Sequence, residues 1–455
     1  MRRHVIIGRF GTGDRAPIPI ADGEVSSRLE FVASTRRHEH GIGHALDDLA
    51  NLGVFPSELG LDLLVLAAHV HAADTRISRT TESQDTWTRE IRLVVPVNEP
   101  ARWTATIPLL QRLLNFLTGD RWTLGFRPRP PGFNQAVRTR PPQLTAPQFN
   151  SLSLFSGGLD SLIGAIDVLE QGQMPLLISH AGEGATSDAQ TKLFDGLKKN
   201  YARRNFHRLR IWMDFRNWHV RDVASENTTR GRSFLFIAAG VFAGTGLSAN
   251  FTLRVPENGL IALNVPLDPL RLGALSTRTT HPFYMARWNE LLTALGISGR
   301  IENPYWNKTK GEMVADCANR ALLTALVPDS LSCASPKKGR WEGRGTEHCG
   351  YCLPCLIRRA ALLHGLGAAD PTSYTVPDLA ANILDTTKAH GEQVRSFQFA
   401  IERLRNRPEL ASLLIHKPGP LTDESPARQS ALADLYRRGL NELSLLLAGV
   451  RARPS

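Results

Sequence analysis

Long apolar runs are missing from this sequence, because no stretch approaches the roughly 20 consecutive apolar residues that a membrane-spanning helix needs. The first residues, MRRHVIIG, lack the apolar core and the small-residue cleavage site of a secretion signal. Internal repeats and low-complexity tracts are also lacking. We therefore expect a soluble cytoplasmic protein that does not associate with membranes.

A strong basic stripe is absent as well, although the formal net charge is +11. A positive balance permits an anionic partner such as a nucleotide, a nucleic acid or an acidic protein. The arginines are dispersed among acidic residues, so the pattern does not favour a nucleic-acid interface, although nucleic acid remains a possible partner.

The chain of 455 residues is too long for one ordinary core, and its pattern divides it into four segments. Residues 1–126 predict an α+β docking or covering domain, and the proline- and arginine-rich residues 127–148 predict a linker or an extended strap. In residues 149–367 apolar strands alternate with helices, which predicts an α/β fold with a parallel, doubly wound sheet. Residues 368–455 predict a helical C-terminal extension.

A glycine-containing turn stands between a strand and a helix at the start of the third segment. It reads FSGGLDS and contains Ser156, Gly157, Gly158, Asp160 and Ser161. The glycines let the backbone approach a ligand, and the helix that follows presents unpaired N–H groups, so the turn predicts an anion cradle. The spacing is neither G-x-x-x-x-G-K-[ST] nor G-x-G-x-x-G, which argues against a Walker-type phosphate loop and a dinucleotide fold.

Cysteine is scarce, and four of the five cysteines are clustered in sequence. Cys349, Cys352 and Cys355 form C-x-x-C-x-x-C, and Cys333 precedes Cys349 by 16 positions. Four thiolates at this spacing predict a tetrahedral Zn²⁺ site, with an iron–sulfur cluster as the alternative. Structural disulfides are not expected in a cytoplasmic chain, and Cys317 is expected to be a buried core thiol.

The turn SGGLDS resembles the SGGxDS signature of the PP-loop family of ATP pyrophosphatases. The resemblance implies a fold of the adenine-nucleotide alpha-hydrolase type and ATP bound by Ser156, Gly157, Gly158, Asp160 and Ser161. In that family the loop holds the outer phosphates, a substrate oxygen attacks the α-phosphorus, and pyrophosphate leaves. Mg²⁺ is expected to bridge the phosphates, with Asp160 as its protein partner.

Together, the SGGLDS turn and the cysteine cluster resemble the 7-cyano-7-deazaguanine synthase (QueC) family over roughly residues 151–367. RGRS at 230–233 and ENP…KGE at 302–312 match further segments of that family. The resemblance implies that Lys310 and Arg232 contact phosphate or carboxylate as catalytic residues beside Asp160. A solvated surface role remains open for both cations.

The sequence also departs from the family at two places. His180 and Gly182 stand where the family's second strand ends in an acidic motif, and we expect them at the nucleotide. PENG at 256–259 and STRTTHP at 276–282 replace the family's substrate loop. They supply the candidate substrate residues Glu257, Asn258, Arg278, Thr280 and His281. Asn258 and His281 have a second interpretation as turn-forming residues.

These departures, with the added N-terminal segment, resemble QatC, the QueC-like group of the Qat anti-phage defence system. The resemblance implies ATP-dependent adenylation of a carboxylate, on a small-molecule deazaguanine substrate. Amide or nitrile formation follows, or conjugation to an amine of a partner protein from the same defence operon. The alternatives are a tRNA-modifying PP-loop enzyme and a non-catalytic nucleotide-binding platform in a defence complex.

Overall fold

The structure is a computed structural model of the chain. It describes residues 2–33, 37–83, 85–141, 148–182, 184–224, 226, 228–267, 278–334, 336, 347–367 and 370–454. Part of the predicted linker and the start of the STRTTHP segment, including Ser276 and Thr277, lie outside these residues.

The N-terminal segment folds around a parallel sheet with the strand order β2-β1-β3-β4. Its elements are β1 (Arg3–Phe10), β2 (Glu24–Val32), α1 (Ile42–Asn51), α2 (Glu58–Arg76), α3 (Arg79–Glu82), β3 (Glu90–Val97), α4 (Pro100–Ala105), α5 (Ile107–Thr118) and β4 (Arg121–Pro128). We expected an α+β arrangement here, whereas the described strand pairs are all parallel. The difference arises because strand direction depends on long-range pairing, which the local alternation does not reveal.

The middle segment contains the expected parallel sheet, with the order β7-β6-β5-β8-β9. Its first elements are β5 (Ser151–Leu154), α6 (Leu159–Glu170), β6 (Pro175–Ala181), α7 (Gly184–Asn200), β7 (His207–Trp212), α8 (Arg232–Leu247), β8 (Phe251–Arg254) and α9 (Gly259–Leu263). They are followed by α10 (Pro282–Ala294), β9 (Gly299–Glu302), α11 (Lys310–Ala315), α12 (Arg320–Leu326) and α13 (Leu353–Leu366). The α/β class predicted from the sequence is confirmed.

Chain order reverses between β5 and β8, which lie side by side with Leu152 opposite Leu253. From β5 the sheet grows outward through β6 and β7, and then restarts on the other side with β8 and β9. In open α/β sheets the crevice at such a reversal, outside the carboxyl ends of the strands, is where ligands bind.

The N-terminal and middle segments share one hydrophobic core rather than meeting across a polar boundary. Helix α2 is buried on nearly all sides and packs against α8, which is equally apolar. Residues 127–141 run along the N-terminal segment, where the buried Arg129 pairs with Asp62 and Glu58 of α2. The division of residues 1–367 into separate domains therefore stays a prediction.

The C-terminal segment is largely helical, as expected. It contains β10 (Leu384–Asp385), α14 (Ala389–Asn406), α15 (Leu410–Leu414), α16 (Pro426–Leu446) and β11 (Ala452–Arg453). Its apolar side chains form a second core with residues of α9 and α13, so the segment is packed onto the middle sheet layer. Within the described residues, none of the helices combines the length and the apolar character that crossing a bilayer requires.

Candidate functional site

A cavity of about 370 Å³ opens at the chain reversal between β5 and β8. Leu154 at the end of β5 and Val255 just after β8 form its floor. The polar side chains that line it come from the SGGLDS turn, α7, the start of α8 with the residues before it, the PENG segment and the STRTTHP segment: Ser156, Ser161, Thr186, Thr229, Arg230, Arg232, Ser233, Glu257, Thr279 and Thr280. The fold therefore brings residues of four sequence-predicted segments, SGGLDS, RGRS, PENG and STRTTHP, to one place.

The turn that opens α6 is preorganised by its own hydrogen bonds. Gly157 has φ +85°, a conformation that side chains other than hydrogen rarely allow, and its carbonyl accepts a bond of 2.8 Å from the amide of Leu331. The Ser156 hydroxyl lies 3.2 Å from that of Ser161, which donates to the carbonyl of Gly158 at 2.9 Å. The turn therefore holds two hydroxyls beside the N-terminus of α6, an arrangement suited to phosphate oxygens.

Asp160 connects this turn to two other segments. Its Oδ1 lies 3.0 Å from Nζ of Lys310, the first residue of α11. Its Oδ2 accepts from the backbone and side-chain amides of Asn258, at 3.0 and 2.7 Å. Lys310 and Asn258 are both buried, so the solvated role that was open for Lys310 does not apply. Asn258 also caps α9, which is the turn-forming role foreseen for it, and its assignment to the substrate stays a prediction.

Glu257 stands beside Asp160 and faces the cavity. Its Oε2 accepts hydrogen bonds from the hydroxyls of Thr280 and Thr279, the latter at 2.9 Å. Burial raises the pKa of Glu257, the threonine hydroxyls and Lys310 oppose that rise, and the Asp160 charge adds to it. One carboxylate, that of Glu257, therefore lies at the cavity wall, and the buried Asp160–Lys310 pair acts on its charge.

Arg232 lines the opposite wall as the first residue of α8. The residues before it are held by the N-terminal segment. The amide of Gly231 donates to Oδ2 of Asp74 at 2.7 Å, and Arg230 Nη1 donates to the carbonyl of Thr118 at 3.2 Å. Burial lowers the pKa of Arg230 to about 10.

His180 and Gly182 are not brought to the cavity wall. The His180 ring is buried, 5.4 Å from the ring of His71 on α2, and its Nε2 lies 3.3 Å from the carbonyl of Met213. Burial lowers the pKa of His180 to about 4, so the ring is neutral. Gly182 follows β6 immediately, next to the His180 ring. Their assignment to the nucleotide stays a prediction that the side-chain placement does not favour.

Arg278 and His281 also lie behind the cavity rather than on its surface. Arg278 donates to the carbonyl of Phe116 at 2.7 Å and lies over that residue's ring. His281 caps α10 through Nδ1, which accepts from the amide of Phe283, and burial lowers its pKa to about 3. Of the two interpretations of His281, the structure favours the turn-forming one.

Two residues that sequence reasoning missed support the turn. Gln190 of α7 donates through Nε2 to the carbonyls of Ser156 and His180, at 3.3 and 3.2 Å. Ser332 places its hydroxyl 3.4 Å from the amide of Leu159 at the start of α6. Neither residue belongs to a recognisable motif, although Ser332 adjoins the first cysteine of the cluster.

The four predicted cysteine ligands converge on one point. The Sγ atoms of Cys333, Cys349, Cys352 and Cys355 all lie within 4.8 Å of one another, and two of the pairs are 3.9 Å apart. Four thiolates around one Zn²⁺ at about 2.3 Å would be about 3.8 Å apart, so the spacing fits a single tetrahedral ion. A multi-iron cluster distributes its thiolates over different irons and needs a wider frame.

The backbone around the cysteines is shaped for thiolates. The amide of Cys349 donates to Cys333 Sγ at 3.4 Å and that of Cys352 to Cys349 Sγ at 3.3 Å. Gly350 between them has φ +87°, and a Cβ there would lie 2.7 Å from the carbonyl of Val376. Cys333 also lines the cavity, so this candidate metal centre braces one wall of it.

Comparison with known proteins agrees with part of the resemblance. Over 78 residues the chain is 37% identical to a 7-cyano-7-deazaguanine synthase of Sinorhizobium fredii. The aligned stretch is 17% of this chain and 28% of that synthase, so the chain spans well under a third of the relative's length. No family model matches the chain. The similarity supports a QueC-like relationship, and the parallel α/β sheet is consistent with the PP-loop fold.

Proposed function

We propose that the chain is an ATP-dependent enzyme that activates a carboxylate by adenylation and releases pyrophosphate. The observation that carries the proposal is the meeting of the SGGLDS turn, Glu257 and Arg232 around one cavity at the chain reversal, with the buried Asp160–Lys310 pair close enough to Glu257 to act on its charge. The similarity to a 7-cyano-7-deazaguanine synthase supports the same chemistry.

The proposed reaction has two steps. A carboxylate oxygen of the substrate forms a bond to the α-phosphorus of ATP, and the bond from that phosphorus to the oxygen bridging to the β-phosphate breaks. Pyrophosphate takes the bonding electrons, and an acyl-adenylate remains. An amine nitrogen then attacks the acyl carbon, AMP departs with the electrons of the acyl C–O bond, and the amine loses a proton to give an amide.

Each polar residue at the cavity has a part in this proposal. The hydroxyls of Ser156 and Ser161 and the N-terminus of α6 face the outer phosphates. Lys310 exchanges Asp160 for phosphate oxygens and, with Arg232, stabilises the charge on the leaving pyrophosphate. The Asp160 carboxylate, released from Lys310, could then hold Mg²⁺ with Glu257 as its neighbour. The magnesium ion would supply charge neutralisation at the phosphates.

The proposal also covers the identity of the substrate and the biological system in which the enzyme acts. The similarity to a 7-cyano-7-deazaguanine synthase suggests a carboxylated 7-deazaguanine as substrate, and the resemblance of the N-terminal addition suggests an anti-phage defence system. Because the added segment holds the backbone beside Arg232 through Asp74 and Thr118, we propose that it also admits a partner protein whose amine accepts the acyl group. A free amide or nitrile product is the alternative outcome.

A thiol-dependent tRNA-modifying enzyme is less compatible with the site. Cys317, the cysteine outside the cluster, lies in an apolar core and burial raises its pKa to about 12. Cys333 reaches the cavity, but its sulfur is engaged with the other three cysteines. A thiolate nucleophile needs a lowered pKa and access to the nucleotide.

Substitution of Lys310 tests the proposal against a matched neighbour. Lys310→Met should lower ATP-dependent pyrophosphate release at least 100-fold, because the leaving group loses its buried cation. Lys308→Met is the control, since Lys308 is exposed and pairs with Asp316 at 3.0 Å. Equal rates of pyrophosphate release in the two variants would show that Lys310 takes no part in the reaction.

The acceptor is identified by mass. The enzyme is incubated with ATP, 7-carboxy-7-deazaguanine and the proteins encoded beside it, and small molecules and intact chains are weighed. An added acyl mass on one chain supports conjugation to a protein amine. A free amide or nitrile with unchanged chains overturns the conjugation and retains adenylation.

A further inference from the structure

Two buried carboxylates reach the candidate site from outside the middle segment. Asp74 belongs to the N-terminal segment and Glu442 to the C-terminal segment, and each meets the first turn of a helix that begins with a site cation. We propose that Asp74 and Glu442 are positioning residues: Asp74 places Arg232 at the cavity, and Glu442 places Lys310 at Asp160 of the SGGLDS turn. The inference rests on the proposed function for its kinetic readout, but not for its structural one.

Asp74 holds the start of α8. The residue is fully buried, and its Oδ2 accepts the amide of Gly231, which directly precedes Arg232. Its Oδ1 is 3.1 Å from Arg89 Nη2, and Arg89 is anchored in turn by Asp120 at 2.7 Å. A Cβ on Gly231 would lie 3.3 Å from the Asp74 carboxylate. The carboxylate is therefore fixed from behind and bonded in front to the backbone that carries Arg232.

Glu442 holds the start of α11 in a comparable way. Its Oε1 accepts from the hydroxyl of Thr309, and its Oε2 accepts from the amide of Gly311 at 3.2 Å. Lys310 lies between these two residues, so Glu442 contacts the chain on both sides of it, through the Thr309 side chain and the Gly311 backbone. A Cβ on Gly311 would lie only 2.5 Å from Glu442 Oε1, which shows how closely α16 approaches.

A second contact from α16 reinforces the same turn. Arg438, one helical turn before Glu442, pairs with Glu312 of α11 and donates to the carbonyl of Asn307 at 3.2 Å. Glu312 is also the residue that closes the capping box with Thr309. Helix α16 thus contacts the segment that carries Lys310 on both sides, at Asn307 and at Glu312.

The positions of Lys310 and Arg232 depend on contacts from outside the middle segment. Lys310 and Arg232 sit on helices of the middle segment, yet the backbones that aim them are held by carboxylates from the two flanking segments. A shift of about 1 Å at a reacting group can cost 100-fold in rate. Docking of both flanking segments is therefore part of the assembly of the site.

The test for the C-terminal contact uses three variants. Glu442→Ala removes both bonds, Glu442→Gln retains an acceptor oxygen, and Glu402→Ala alters an exposed carboxylate on α14 of the same C-terminal segment. We expect Glu442→Ala to raise the KM for ATP about 10-fold and to lower kcat, Glu442→Gln to recover most of this, and Glu402→Ala to match the wild type. A mere loss of folded protein would lower apparent kcat and leave KM unchanged, and that result would overturn the positioning role.

The N-terminal contact is compared within one buried network. Asp74→Asn and Asp120→Asn both disturb the pairing of Arg89, but only Asp74 bonds the amide of Gly231. We expect the KM for ATP to rise about 10-fold in Asp74→Asn and to stay near the wild-type value in Asp120→Asn. Gly231→Ala, which presses a methyl group on Asp74, provides a milder variant if Asp74→Asn does not fold. Equal KM values in Asp74→Asn, Gly231→Ala and the wild type would refute the role of Asp74.

Chemical labelling of Lys310 needs no enzymatic activity, so it tests the positioning contact independently of the proposed function. Lys310 is almost completely buried in the wild type, so a small amine-acylating reagent should label it slowly. Peptide mass spectrometry should show labelling at least 10-fold faster in Glu442→Ala but not in Glu402→Ala. Unchanged labelling would contradict the positioning of Lys310 by Glu442, even if the enzyme is active. Faster labelling in an enzyme that does not adenylate would support the positioning contact and reject only the proposed reaction.

Discussion

The Asp160–Lys310 pair predicts an unusual result for a double substitution. Both side chains are buried, with 12% and 7% of their surfaces exposed, and their charged atoms are 3.0 Å apart. Asp160→Asn should leave the Lys310 ammonium buried without its counter-charge. Breaking a buried ion pair from one side costs about 3 kcal/mol or more, because the remaining charge stays desolvated.

The size of the effect on melting follows from the length of the chain. Unfolding entropy near 2.1 cal/mol/K per residue gives roughly 1 kcal/mol/K for 455 residues, so a loss of about 3 kcal/mol lowers Tm by about 3 °C if the chain unfolds as one unit. Lys310→Met combined with Asp160→Asn removes both charges and should recover more than half of that loss.

Differential scanning fluorimetry without nucleotide measures both variants. We expect the single variant to melt lower than the wild type and the double variant to melt between them. An Asp160→Asn protein as stable as the wild type, or a double variant less stable than the single one, would refute the buried pair. Neither variant should be active, because recovery of stability does not return the cation to the phosphates.

Three further outcomes follow from the site and its surroundings. Elemental analysis should find one zinc per chain, and Cys352→Ser should abolish it and lower Tm, because four thiolates share the ion. Gly157→Ala should raise the KM for ATP at least 10-fold, because the backbone is strained at φ +85° and the new Cβ lies 3.1 Å from the Gln190 side chain. Gly172→Ala is the control: it has φ +77° in a distant turn and should lower stability without changing the KM. Buried histidines should make the fold acid-labile, because burial lowers the pKa of His180 to about 4 and that of His281 to about 3. The neutral rings stabilise the fold above pH 6.5, and roughly 2 kcal/mol of unfolding free energy per ring is lost by pH 5. A Tm that stays constant from pH 7 to pH 5 would contradict this.

The parts of the site that the sequence predicted are those encoded locally. The strand, turn and helix around Gly157 follow from a short apolar run, glycines and a second apolar run, and the structure has them at residues 151–170. The cysteine cluster was equally accessible, because three of its ligands lie within seven residues. Its four sulfurs meet as the spacing required.

Residues whose role depends on tertiary packing were predicted less well. His180 lies within β6, and its ring turns toward α2, where it packs against the ring of His71. Arg278 and His281 adjoin the lining residue Thr280, yet their side chains point to Phe116. The face to which a loop residue turns is decided by partners distant in sequence.

Asp74 and Glu442 had no local signature at all. Each lies within a helix more than 100 residues from the backbone that it holds, and an isolated acidic residue in a helix ordinarily indicates a solvated surface. Their burial, together with the glycines that make room for them, became apparent only once the helices were packed.

The fate of labelled ATP tests the central claim most directly. The enzyme is incubated with ATP labelled at the α-phosphate and a carboxylated 7-deazaguanine, and the nucleotide products are separated. Cleavage between the α- and β-phosphates predicts the label in an acyl-adenylate and in the AMP that its aminolysis or hydrolysis releases, with one pyrophosphate for each. This turnover should depend on the carboxylate and be lost in Lys310→Met but not in Lys308→Met. Labelled ADP with free phosphate would contradict adenylation at this site.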